Sequence, residues 1–101
     1  MFEINNEQWR IVSVPRFDLH LQRSNGGYSI GACDDTLKTI FIADDLPPVL
    51  LKRVICHEIV HAVMFSYNIG LSSEQEELLA DLVATYGAEV IKITNDIFKN
   101  I

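Results

Sequence analysis

The chain has 101 residues, of which 49% are hydrophobic and 22% are charged, and its formal net charge is −6. This length fits one domain with one core, and the apolar content is too high for a disordered segment. The acidic balance argues against direct binding to nucleic acid or to an anionic membrane, because both need clustered Lys and Arg.

The first half of the chain is typical of strands and turns. Residues 9–14 and 39–43 are rich in β-branched and aromatic side chains, and 28–33 resembles them after a turn signal at 24–27. The two later segments predict a hairpin, and 17–22 could be a strand or an extended loop. We expect a three-stranded antiparallel or mixed sheet whose exposed strand at 39–43 could pair with an extended peptide.

The second half predicts two helices that follow Pro47 and Pro48. Apolar residues recur at helical spacing from Pro48 to about Tyr67, and a capping-box pattern then opens a helix that runs to Thr94 or Phe98. The fold class is therefore α+β in a single domain, 1–101, with strands and turns in 1–46 and helices in 47–101.

His57, Glu58 and His61 form an H-E-x-x-H motif inside the first predicted helix. The two histidines lie about 40° apart around the helix and one turn apart along it, so both imidazoles can bind one metal ion. Glu58 lies beside that position, where a carboxylate can act as a general base on a water molecule. The motif predicts zinc (Zn²⁺) and a metallopeptidase activity.

The start of the second helix offers the third metal ligand. If Ser73 is the N-terminal cap, Glu76 is the capping-box residue that folds back on the backbone, which leaves Glu77 free to bind the metal. Asp81 lies on the same helix face, and we expect it to accept the second N–H of His57. His20, in the strand half, is a weaker candidate for the third ligand.

The arrangement of the motif followed by Glu77-x-x-x-Asp81 resembles the gluzincins, in which two histidines and a downstream glutamate hold zinc. The Gly-x-Cys-Asp hairpin at 31–34 and the stretch Ala80-Asp81-x-x-Ala84 are more narrowly similar to the ImmA/IrrE family of phage and mobile-element metallopeptidases. The resemblance covers residues 28–91. It implies a zinc endopeptidase whose substrate is a protein, such as a helix-turn-helix transcriptional repressor.

Two other functions remain open from the residues. The chain could be a non-catalytic zinc-binding module that binds a protein partner, in which case Cys33 or Cys56 would be a suitable fourth ligand. It could also be a helical partner-binding protein with a chance motif. Tyr67, Tyr86 and His20 are candidates to stabilise an oxyanion, but Tyr86 lies on the helix face opposite Glu77, and none of the three is assigned this role. Two cysteines without a disulfide framework and the lack of a signal peptide predict a cytoplasmic protein.

Overall fold

The computed structural model describes residues 1–101 and has the predicted α+β class. Four strands form one mixed sheet: β1 (Phe2–Ile4), β2 (Glu7–Val14), β3 (Gly31–Asp34) and β4 (Thr39–Ala43). Two helices follow, α1 (Pro48–Ser66) and α2 (Ser73–Lys99). The sheet therefore has one more strand than the three that the sequence predicts.

The additional strand, β1, pairs antiparallel with β2 across the turn at Asn5 and Asn6. Both asparagines have positive φ angles, 50° and 65°. Asparagine adopts this left-handed conformation more readily than other side chains do, and two-residue hairpin turns favour it. The Asn-Asn pair was the sequence signal for this hairpin, but three residues are too few to show an alternating pattern.

The strand order is β1-β2-β4-β3, with β2 parallel to β4 and β3 antiparallel to β4. The predicted hairpin of β3 and β4 is thus confirmed, but the prediction that 39–43 is exposed is wrong. All five residues of β4 are buried in the centre of the sheet, because β2 pairs with its other edge. The free edge on this side of the sheet belongs to β3.

A long connection, 15–30, covers one face of the sheet. It contains a short 3-10 helix, Leu19–Leu21, where the sequence favoured a strand or an extended loop. Leu21 is buried against Val14, Phe41 and Ala43. This face of the sheet is therefore closed by the connection and has no room for a second helix layer.

Helix α1 covers the opposite face of the sheet. Val54 and Ala62 join a core with Trp9, Ile40 and Ile42. The indole N–H of Trp9 donates to Ser66 Oγ at 3.0 Å, so the last turn of α1 is tied to the N-terminal strands. Helix α2 packs against α1 and forms the outer layer. Neither helix is both long enough and apolar enough to cross a membrane.

Candidate metal centre

Helix α1 brings His57 and His61 onto one face, as their spacing predicts. The two Nε2 atoms lie 3.1 Å apart, and both side chains are largely shielded from solvent by α2. The rings are tilted by 59° with centroids 4.9 Å apart, so they converge on one point rather than stack.

Glu77 approaches the same point from the first turns of α2. Its Oε2 atom is 3.1 Å from His57 Nε2, and its Oε1 atom is 3.0 Å from His61 Nε2. In a tetrahedral zinc site with bonds of about 2.0–2.1 Å, neighbouring ligand atoms are roughly 3.3 Å apart. Two imidazole nitrogens and one carboxylate therefore have both the chemistry and the spacing of a zinc-binding group.

The second nitrogen of each imidazole is held by its own carboxylate. Asp81 Oδ1 lies 2.9 Å from His57 Nδ1 as an ion-pair contact, and Glu76 Oε1 lies 2.6 Å from His61 Nδ1 as a hydrogen bond. Because an ionised carboxylate can only accept, these contacts favour the tautomer with the hydrogen on Nδ1. In a neutral ring the lone pair is then on Nε2. Three acceptor groups thus face one another, an arrangement that is repulsive unless protons or a metal cation lie among them.

The role predicted for Glu76 as a capping residue is wrong, because α2 begins one residue earlier than that prediction assumed. Ser72 is the N-terminal cap, and Gln75 completes the capping box. The backbone N–H of Gln75 donates to Ser72 Oγ, and that of Ser72 donates to Gln75 Oε1. Glu76 is therefore free to reach His61. Because residues 72 and 73 are both serines, the sequence alone does not distinguish a cap at 72 from a cap at 73.

Glu58 lies at the inner side of this centre and is buried, with 7% of its surface exposed. Burial is the main cause that raises the pKa of its carboxyl above the usual value; nearby Glu77 adds to the shift, while His57 and His61 oppose it. A raised pKa makes the ionised carboxyl a stronger proton acceptor. Glu58 lines the same cleft as His57, His61 and Glu77, and its role as a general base stays a prediction.

A close approach of β3 to α1 depends on Gly31. A Cβ atom at this position would lie 2.6 Å from Val54 Cγ1 and 3.1 Å from Glu58 Oε2. A larger residue would therefore separate the strand from the helix at the point where the Glu58 carboxyl lies. The sequence suggested a hairpin for Gly31 but gave no sign of this contact.

The centre opens into a cleft of about 940 Å³ between β3, α1 and the start of α2. Sequence reasoning missed three residues in its walls: Arg23, Ser29 and Arg53. Arg53 lies one turn before His57, which is a signal that could have found it. Arg23 and Ser29 reach the cleft from the connection before β3, and only the tertiary fold brings them there.

Several candidates from the sequence lie elsewhere. His20 stacks on Phe41, on the sheet face that the 15–30 connection covers, with its Nδ1 atom 2.7 Å from Asp18. Tyr67 and Tyr86 do not line the cleft. The structure therefore places His20, Tyr67 and Tyr86 outside the cleft.

Neither cysteine joins the group of ligand atoms. Cys56 borders a groove beside the middle of α2. Cys33 does line the cleft, but burial, with a smaller effect of nearby carboxylates such as Glu58, raises the pKa of its thiol to about 12. Without a bound metal the thiol is therefore protonated at neutral pH.

Comparison of the chain with protein-family models, with curated proteins and with solved structures finds no match.

Proposed function

We propose that the chain is a zinc-dependent endopeptidase of the gluzincin type, related to the ImmA/IrrE metallopeptidases. The observation that carries this proposal is the convergence of His57 Nε2, His61 Nε2 and Glu77 within about 3 Å of one another, beside the buried carboxyl of Glu58. His57, His61 and Glu77 would bind the zinc. Glu76 and Asp81 would orient the imidazoles.

The donor set favours a catalytic site over a structural one. Structural zinc sites are closed by four protein ligands, whereas catalytic sites have three and keep one position open. Three ligand atoms converge here, and no cysteine is among them. The centre also opens directly into the cleft, so a substrate could reach it.

The mechanism assigns the proton transfers to Glu58. When bound, zinc lowers the pKa of water and polarises a carbonyl group. Glu58 would accept a proton from the attacking water and donate it to the leaving amine nitrogen. Its buried position excludes competing solvent from the carboxyl, and Gly31 leaves the space that the carboxyl occupies.

The free edge of β3 is the surface that we propose for an extended substrate. Ile30 O accepts from Ala43 N, so in the alternating antiparallel pattern the backbone of Ala32 also faces β4. The backbone groups of Gly31 and Cys33 consequently face away from the sheet. A peptide paired with this edge would run along the cleft, past Glu58.

We further propose that the substrate is a protein, such as a helix-turn-helix repressor, and that the reaction takes place in the cytoplasm. Both cysteines are free, which is typical of proteins from a reducing compartment. The net charge of −6 makes a protein substrate more plausible than direct action on nucleic acid.

The test compares the wild type with Glu58→Gln and with Glu89→Gln, a control at an exposed glutamate of α2 that has no ion pair. Each purified protein is analysed for metal and incubated with a proteome-derived peptide library and with a co-expressed helix-turn-helix repressor. We expect one zinc per chain in all three proteins. Cleavage should occur with the wild type and the control and should be lost in Glu58→Gln.

Each other outcome contradicts a defined part of the proposal. Absence of zinc from wild type prepared without chelators would exclude the zinc centre. Equal cleavage by Glu58→Gln would exclude Glu58 as the base. Zinc without cleavage of either substrate would instead support a non-catalytic zinc-binding module.

A further inference from the structure

The second half of α2 packs little against the rest of the fold. Helix α2 has 27 residues, about 40 Å in length, and every residue from 88 to 101 is exposed. Half-buried and buried residues of this helix occur only between 76 and 87. Most of the stability of helices in proteins comes from the packing of an apolar face, so this half needs a packing partner.

One outward face of α2 is apolar along most of its length. We call this face the outer stripe, and at about 100° per residue its members lie in an arc of about 80°. Their side chains are 38–58% exposed. The outer stripe consists of Leu79, Leu82, Tyr86, Val90, Ile93 and Ile97.

The apolar area that the outer stripe exposes is similar to the area that one partner buries in an ordinary protein interface. At roughly 200 Å² for a large apolar residue, its six members together expose roughly 600 Å², while one partner of a standard protein interface buries about 800 Å². An exposed apolar patch of this size is at the upper end of what monomers show, and such patches often mark interaction sites.

Five of the six members of the outer stripe are spaced symmetrically about Tyr86, and only Ile97 lacks an apolar counterpart. Leu82 and Val90 lie four residues before and after it, and Leu79 and Ile93 lie seven residues before and after it. A two-fold axis at Tyr86 would therefore place Leu82 against Val90, and Leu79 against Ile93, of an antiparallel second copy. Such self-complementarity is what a symmetric dimer interface requires. We propose that the outer stripe is the interface of a homodimer in which two α2 helices pack antiparallel.

The net charges of the two halves of α2 favour the antiparallel orientation at long range, since Glu77 and Asp81 lie on the side of the helix away from the outer stripe. The half from 73 to 86 has four acidic and no basic residues: Glu74, Glu76, Glu77 and Asp81. The half from 87 to 99 is neutral, because Lys92 and Lys99 balance Glu89 and Asp96. A parallel pair would bring two acidic halves together, whereas an antiparallel pair places each acidic half beside a neutral one that contains both lysines.

This interface does not depend on the proposed enzymatic function. Glu77 and Asp81 point about 140–180° away from Tyr86 around the helix. They contact His57 on the opposite side of α2. Dimerisation through the outer stripe would thus leave both clefts open to solvent.

The mass of the full chain in solution tests the proposal. Sedimentation equilibrium at 1–100 µM should give twice the 11.4 kDa mass of the chain. Tyr86→Glu, which places two charges on the two-fold axis, should give a monomer whose helical content is close to that of the wild type. Val49→Glu, at an equally apolar and 82% exposed position on α1, should remain a dimer.

Disulfide cross-linking tests the orientation. In a Cys33→Ala, Cys56→Ala background, Tyr86→Cys should cross-link to its own copy on mild oxidation. Ile93→Cys should not, because an antiparallel pair separates the two copies of this residue by about 21 Å. A monomeric wild type at 100 µM, or a dimer that persists in Tyr86→Glu, would overturn the proposal. Equal cross-linking by both cysteines would overturn the antiparallel arrangement.

Discussion

The two imidazole rings of the candidate centre are fixed at both of their nitrogens. His57 and His61 have their Nδ1 atoms on Asp81 and Glu76 and their Nε2 atoms beside Glu77. Such outer carboxylates set the tautomer and the orientation of a metal-binding histidine. Residues that do not touch the metal should therefore control its affinity.

We expect Asp81→Ala to weaken zinc binding about 10–100-fold, because His57 loses the acceptor that holds its Nδ1–H. Competition with a chromophoric chelator measures the affinity. Glu89→Ala, at an exposed site on the same helix, should bind zinc as the wild type does. An unchanged affinity in Asp81→Ala would show that Asp81 does not orient His57.

The spacing of His57 and His61 in the H-E-x-x-H motif was enough to predict that these two side chains of α1 converge. The geometry of a second helix placed Glu77 and Asp81 on one face, but Glu77 was singled out through a capping register, Ser73 with Glu76, that the structure does not have. The contact between Glu76 and His61 could not be predicted in the same way, because it depends on which of two adjacent serines caps α2. Arg23 and Ser29 lie in a connection with no periodic pattern, so only the folded chain brings them to the cleft.

At the level of the elements, the position of a helix start decides which side chains face the centre. With the cap at Ser72, Gln75 folds back on the backbone and Glu76 is free to reach His61, whereas a cap at Ser73 would give the capping-box role to Glu76. The cap at Ser72 is therefore a feature of the site as well as of the helix.

We expect Ser72→Ala to lower the free energy of unfolding by about 1 kcal/mol, because the backbone N–H of Gln75 loses its acceptor. Urea denaturation followed by circular dichroism measures this change. Ser73→Ala is the matched comparison, since this serine caps nothing, and it should cost only a few tenths of a kcal/mol. A larger loss in Ser73→Ala than in Ser72→Ala would place the cap at 73.

The strand predictions succeeded where a hydrophobic pattern was long enough and failed where pairing decided the outcome. The bounds of β4 were predicted correctly, but its central position was not, because the parallel partner β2 is distant in sequence. The hairpin that includes β1 depends on the turn at Asn5 and Asn6 more than on the apolar content of its strand.

At the level of the whole molecule, the candidate centre joins the two helices. Its residues come from α1 and from the first turns of α2. A metal that binds only when both helices are in place stabilises the folded state by mass action.

We expect removal of zinc with EDTA to lower the melting temperature. At a zinc concentration about 1,000 times the dissociation constant, bound metal adds about 4 kcal/mol of stability, which corresponds to a shift of at least about 10 °C for a chain of this size. Differential scanning calorimetry measures the shift. Glu77→Ala should melt at one temperature with or without EDTA, and a wild type that does so would not depend on zinc for stability.

The parallel pairing of β2 with β4 has a consequence for the order of folding. The two strands are separated by the 15–38 segment, whereas β3, β4, α1 and α2 follow one another through short connections. Closing a long loop costs more conformational entropy than closing a short one, and distant pairings tend to slow folding. We therefore expect the contiguous segment 31–99 to assemble first and the two N-terminal strands to dock last. That early segment already contains His57, Glu58, His61 and Glu77.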